Sequence, residues 1–173
     1  MNTTKTILKL KTQVNSGLER HPVPILGIDY KVKMTYKNVK FIQVDVAEKV
    51  INISLPNKYK KMANSEVLDL AIEKLYEQVA NTEIERAMEK TRVMLGFAPE
   101  EYEIVKMRVM GKCENSKIMI NPDVVKYTRD LIDYVVLHQY CHLKFKTHSK
   151  GFYNLIAEYE PDYKTYEKTL KEI

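Results

Sequence analysis

Tryptophan is missing from this chain, cysteine occurs twice and glycine five times. Two thiols, Cys113 and Cys141, are too few for a disulfide framework in a chain long enough to bury its own core, so both are expected to be reduced. No Gly-rich phosphate loop is present, and no Gly, Ser or Pro-rich linker, internal repeat or low-complexity tract divides the sequence. Apolar runs such as Tyr134 to Leu137 are far too short to cross a bilayer. The opening stretch MNTTKTILKLKTQVN has lysines but no apolar block followed by a cleavage site, so a cytoplasmic location is the expectation. With no coiled-coil or obligate-interface signal, a monomer is expected as well.

What is present is ordinary globular material. Hydrophobic residues make up 45% of the 173 and charged residues 29%, which argues for one folded unit rather than a disordered tail. The expected organisation is a single domain over 1–173, β-rich over 1–62 and helical over 63–173. A net charge of +5 and a pI near 9.0 would suit an anionic partner such as nucleic acid, nucleotide or acidic peptide. The lysines are scattered among acids and aromatics, however, and no dedicated DNA-reading motif accompanies them. Charge alone selects no partner.

Residues 1–24 lack a period and end in His21-Pro22-Val23-Pro24, which reads as an arm or edge strand, with His21 at the surface. Alternation over residues 30–34, 39–46 and 50–55 predicts three strands in an antiparallel sheet. Asn64 or Ser65 is a suitable N-cap for one long helix ending at Leu95 before Gly96. Residues 102–110 and 117–120 read as two further strands, connected through 111–116 and able to extend the same sheet. A second helix is expected from Thr128 or Asp130 to about Lys144, a third capped by Ser149 and running to Tyr159, and a last one starting near Asp162.

The second of these helices carries the chemistry. Three of the four histidines fall within eleven residues, at His138, His142 and His148. Positions 138 and 142 are one helical turn apart, so their imidazoles share a face and can hold one ion at about 2.0–2.1 Å per nitrogen. A short turn after Lys144 would return His148 to the same ion, leaving a fourth position open, the pattern of catalytic rather than structural zinc. Cys141 could compete as a soft ligand, although it sits off the line joining the two helical histidines, and buried packing is its alternative. Tyr134 and Tyr140 flank the helix, where a hydroxyl could steady an oxyanion or simply pack.

The residues 117–122 (KIMINP), 133–138 (DYVVLH), 142–144 (HLK), 147–149 (THS) and 161–164 (PDYK) resemble the YgjP-like metallopeptidase family, a zincin group related to SprT-like proteins. The resemblance implies an α+β fold, with an N-terminal sheet and a zincin-like helical metal-binding half. It also implies Zn2+ on His138, His142 and His148. The family motif is His-Glu-x-x-His followed six residues later by His-Ser, so it would put the general base at position 139, where this chain has Gln139. Upstream, the family's Trp-Gly-Ser-Cys appears as Met110-Gly111-Lys112-Cys113.

Glutamine has nearly the shape of glutamate and can hydrogen-bond a water, but it has no useful basicity. Losing general-base catalysis predicts a rate lower by about 10² to 10⁴. Gln139 would mark either a natural pseudoenzyme or altered catalyst, or an isosteric change that disables an active enzyme. Glu158 or Glu160, after His148, could act as a substitute base. The leading expectation is a zinc-dependent metallohydrolase, metallopeptidase-like, with impaired activity. Alternatives are a metal-dependent nucleoside triphosphate pyrophosphatase on the same scaffold, which would take a nucleotide rather than a peptide, and a non-catalytic binding module stabilised by metal.

Overall fold

The computed structural model describes residues 22–172; the expected arm over residues 1–21 and the surface role for His21 lie outside them. The first sheet contains β1 (Val23–Ile25), β2 (Ile28–Lys37), β3 (Gln43–Ala47) and β4 (Val50–Pro56), in the order β1-β2-β4-β3. In β2, Tyr30, Val32, Met34 and Tyr36 turn inward while the intervening lysines and Thr35 face out, as a half-buried strand requires. Ile51, Ile53 and Leu55 of β4 are fully buried, so this most apolar strand takes the central position.

That placement corrects the expectation of an antiparallel sheet. β3 and β4 form a hairpin through a tight turn at Glu48 and Lys49, with β3 outermost. The return strand β4 is thereby slotted against β2 in the same direction, from Lys31↔Val50 to Lys37↔Pro56. The other two pairings are antiparallel.

Helix α1 (Asn64–Leu95) has 32 residues and is about 48 Å long. Its N-terminal half puts Val67, Leu68, Ala71 and Leu75 on the first sheet, and its C-terminal half puts Ala80, Ile84, Ala87 and Met88 into a second core. Neither expected cap acts. Ala63 occupies the N-cap position without a side-chain bond, and Asn64 instead accepts a hydrogen bond from the Tyr36 hydroxyl at 2.8 Å. Gly96, with φ 73, ends the helix in the left-handed conformation.

Because α1 carries the chain away, the later strands build a sheet of their own instead of extending the first. β5 (Glu101–Ile104), β6 (Gly111–Glu114) and β7 (Lys117–Ile120) lie in the order β5-β7-β6. The strand expected over 102–110 stops at Ile104, and most of the expected connector is β6. Asn115 and Ser116 alone make the β6–β7 turn, with φ of 50° and 62°, both in the left-handed region that such two-residue hairpins need. Val105 still bonds β7, and beyond it the chain leaves the sheet, its carbonyls at Met107 and Met110 taken up by Asn121. The Val105 N–H donates to the Ile120 carbonyl at 3.0 Å, and Asn121 donates to the Met107 carbonyl through its side chain at 2.6 Å and to the Met110 carbonyl through its backbone at 2.9 Å.

A short 3-10 turn at Pro122–Lys126 leads to α2 (Arg129–Lys144), followed by α3 (Lys150–Tyr159) and α4 (Tyr163–Lys171). One side of α2 gives Ile132, Val135, Val136 and Tyr140 to the second core, and another gives Leu131, Tyr134, Leu137 and Cys141 to a third core with Phe152 and Ile156 of α3. The β1–β2 hairpin also reaches α2. Leu26 and Gly27 donate to the carbonyls of Val125 and Lys126 at 2.7 and 3.3 Å, and a Cβ on Gly27 would lie 2.7 Å from the Thr128 methyl. Glycine is required there by both its positive φ and this contact. The fold is α+β: a four-stranded sheet, the long helix α1, a three-stranded sheet and then the helices α2 to α4. Among the described residues no helix is long and apolar enough to cross a membrane.

Candidate metal centre

Helix α2 starts where Thr128 accepts a hydrogen bond from the Leu131 N–H at 3.4 Å, with Asp130 in the first turn and Lys144 in the last complementing the helix dipole. His138 and His142 therefore stand on one face. The chain turns extended at Phe145, and Ser149 caps α3 by accepting from the Phe152 N–H at 3.4 Å. Between these two fixed points His148 folds back over the first two rings.

The Nε2 atom of His148 lies 3.1 Å from Nε2 of His138 and 3.2 Å from Nε2 of His142. Three nitrogens at 2.0–2.1 Å from one tetrahedral centre would be about 3.3–3.4 Å apart, so the spacing fits a shared ion. All three candidate ligand atoms lie within 4.8 Å of one another, and no carboxylate or thiol belongs to the group. Nδ1 of His142 bonds the Phe145 carbonyl at 3.0 Å. A carbonyl only accepts, so that nitrogen carries the proton and Nε2 of the neutral ring presents a lone pair.

Electrostatics favour the same neutral form. Burial, reinforced by the neighbouring imidazoles, pushes the pKa of His138 down to about 3. Burial lowers His142 too, against the opposing pull of its bond to the Phe145 carbonyl. Neutral imidazole is the metal-binding form.

Phe152, in the first turn of α3, forms the floor of the centre. Its ring centroid is 4.9 Å from that of His138 and 4.7 Å from those of His142 and His148. The Ser149 cap was the available signal, because it fixes α3 to begin directly after His148. The Tyr134 hydroxyl stands behind His138, 3.4 Å from Nδ1, and its ring stacks on Tyr166 at 5.3 Å. Tyr140 donates to the Met88 carbonyl at 3.1 Å in the second core. Neither tyrosine faces the open side of the triad, so the oxyanion option gives way to orientation for Tyr134 and packing for Tyr140.

Gln139 is 6% exposed and is held against β6. A Cβ on Gly111 would come within 2.9 Å of its Nε2 and 3.0 Å of its Cγ, so glycine at 111 makes room for this side chain. Cys141 is fully buried among Leu131, Tyr134, Leu137, Phe152 and Ile156, and burial pushes its thiol up to about 12. It stays protonated in the core, away from the histidine group. Glu158 is exposed and Glu160 half-buried, and neither joins that group.

A cavity of about 250 Å³ opens beside the triad, lined by His138, Gln139 and Gly111 together with Arg108, Met110 and Leu170. A larger one, about 940 Å³, lies between the first sheet, α1 and the Pro122–Lys126 turn and contains none of the three histidines.

No curated protein sequence matches the chain. Among the solved structures similar to the chain are two metallopeptidase zymogens. Abylysin of Pyrococcus abyssi is 21% identical, with 50% of this chain and 90% of that one covered at a TM-score of 0.45. Jannalysin of Methanocaldococcus jannaschii is 20% identical, with 52% and 88% covered at a TM-score of 0.46. The family model for the YgjP-like metallopeptidase domain matches residues 3–173, nearly the whole sequence. A metallopeptidase family implies a metal, and the chain that brings these three imidazoles together belongs to the YgjP-like metallopeptidase family.

Proposed function

We propose that this chain is a zinc-dependent hydrolase of peptidase type whose hydrolytic step is impaired because Gln139 stands where a general base is needed. The observation that carries the reading is the convergence of three Nε2 atoms, 3.1 and 3.2 Å apart, directly beside a buried side chain that hydrogen-bonds but does not take up a proton. A zinc ion held by His138, His142 and His148 would supply Lewis acidity and lower the pKa of a coordinated water to about 7.

The remaining work falls to the chain. The His142–Phe145 bond fixes one ring, the Tyr134 hydroxyl stands behind another, and Phe152 keeps water from beneath all three. Gln139 can orient a water or a substrate amide but leaves its proton in place. Strand β6, paired only with β7 among the described residues, offers a free edge beside α2 along which an extended peptide could hydrogen-bond. A reducing, cytoplasmic setting suits the two free thiols.

Metal analysis of the purified protein tests the first half of the reading, with one zinc per chain expected and almost none in His142→Ala. Peptidase assay of Gln139→Glu tests the second. A gain of about 10² to 10⁴ over the Gln139 protein is expected. If the protein binds zinc but Gln139→Glu cleaves no peptide, and instead releases pyrophosphate from nucleoside triphosphates, the peptidase reading is wrong.

A further inference from the structure

Arg86, Arg92 and Arg129 each grip a carboxylate, whereas Arg108, alone among the described arginines, makes no hydrogen bond or ion pair. It is exposed on the 105–110 loop, and that loop is built to stay in place. Val105 is tied to Ile120, and the carbonyls of Met107 and Met110, on either side of Arg108, are both held by Asn121, a buried residue at 2% exposure. The loop walls the cavity of about 250 Å³ at the metal centre. Arg108 lines it together with the apolar Val109, Met110, Val135 and Leu170 and with His138 and Gln139.

A guanidinium is a planar fork of donors matched to the two oxygens of a carboxylate, and apolar walls weaken the solvent screening of such a pair. We propose that Arg108 is a specificity residue that receives a carboxylate of the peptide substrate in this cavity, immediately beside the bond presented to the triad. The inference rests on the metallohydrolase reading above and names its substrate class. The carboxylate has two possible sources, the free C-terminus of a peptide or an Asp or Glu side chain within it.

With cleavage slowed by Gln139, as proposed above, peptide binding to the zinc-loaded protein can be read directly. Four fluorescent peptides of one aliphatic sequence suffice: free C-terminus, C-terminal amide, internal Glu and internal Gln, the last two both amidated. In at least one charged-against-neutral pair the carboxylate form should bind tenfold tighter or more, and that pair identifies the source. Arg108→Gln should bring the pair within twofold while zinc content and melting temperature stay unchanged, and Arg108→Lys should restore part of the preference.

Equal affinity within both pairs, no binding of any of the four peptides, or a preference that survives Arg108→Gln would overturn the assignment. So would Arg108-dependent binding of ATP without any carboxylate preference, which would give the guanidinium to phosphate. Zinc content separates the two levels. If the protein takes up no zinc, the metallohydrolase reading itself fails. If it takes up zinc and Gln139→Glu cleaves neutral and acidic peptides equally well, that reading stands and only the role of Arg108 falls.

Discussion

Helix α2 bears two clusters of charge-capable side chains, and they are finished to different degrees. Near its start, Arg129 donates to Glu83 of α1 at 2.6 and 3.0 Å, and Arg86 joins Glu83 at 3.0 Å to Asp133 at 2.6 Å, with Lys90 closing on Asp133. Every cationic side chain there has a carboxylate partner. Near its end, three imidazoles turn their Nε2 atoms toward one another at 3.1 and 3.2 Å with no acid among them. His142 has already committed its proton to the Phe145 carbonyl, so its Nε2 is a lone pair facing other imidazole nitrogens. The first cluster is complete within the protein and fastens α1 to α2. The second gathers three ring nitrogens with no acid among them, a set that one cation at its centre would complete, and that asymmetry distinguishes a structural network from a candidate site.

Breaking the second cluster should produce the largest effect. His138→Ala or His142→Ala should take zinc content from one per chain to near zero and abolish the metal-dependent stabilisation, about 4 kcal/mol at a thousandfold excess over Kd and visible as a rise in melting temperature. Calorimetry with and without chelator measures this, and an equal rise in either variant would place the ion elsewhere. The Gln139→Glu gain comes next, and it should appear with zinc content unchanged.

Breaking the first cluster should do the opposite. Glu83→Gln removes a buried carboxylate whose arginine partners are partly exposed, so a loss of about 1–2 kcal/mol of stability is expected with zinc content intact. A denaturant melt beside a metal analysis reads both, and loss of zinc would mean the clusters are not separable. Tyr134→Phe deletes only the hydroxyl 3.4 Å behind His138 and should weaken zinc by about tenfold, at the low end for such supporting groups.

The clusters also differ in acid. An unfolded histidine titrates near 6.5, whereas His138 in the fold is held down to about 3. As pH drops below 6.5 the unfolded chain takes up a proton that the folded chain refuses. The metal-free protein should therefore be steady above that pH and lose stability progressively toward pH 3. The Glu83 carboxyl is lowered by its bond to Arg129, so its contribution is full above the ordinary 4.5 and is lost only as pH falls through the lower folded value. A melting-temperature series on metal-free protein should decline from about 6.5 downward; a decline that begins only below 4.5 would remove His138 from this account.

The triad was legible because its information is local. An i, i+4 pair and a third histidine within eleven residues need only one helix and one turn, and the Thr128 and Ser149 caps fixed both. The helices were legible for the same reason, through their periodicity and Gly96. What escaped was set at a distance or by an uncommon turn. Glu83 meets Arg129 across 46 positions, which no local pattern records. Strand β6 was hidden because Asn115 and Ser116 adopt positive φ without a glycine to announce it. The parallel pairing of β2 with β4 follows from which strand is most apolar, a property of the assembled sheet. Phe152 is one more apolar residue in the pattern of α3, and only the fold reveals that three imidazoles rest on it.

The central claim is that the Nε2 atoms of His138, His142 and His148 share one cation. Zinc-edge X-ray absorption on the zinc-loaded protein tests it directly. The expected shell is three imidazole nitrogens at about 2.0–2.1 Å with one lighter oxygen scatterer, reduced in imidazole count by His148→Ala. A sulfur scatterer near 2.3 Å, or an unchanged shell in that variant, would contradict it.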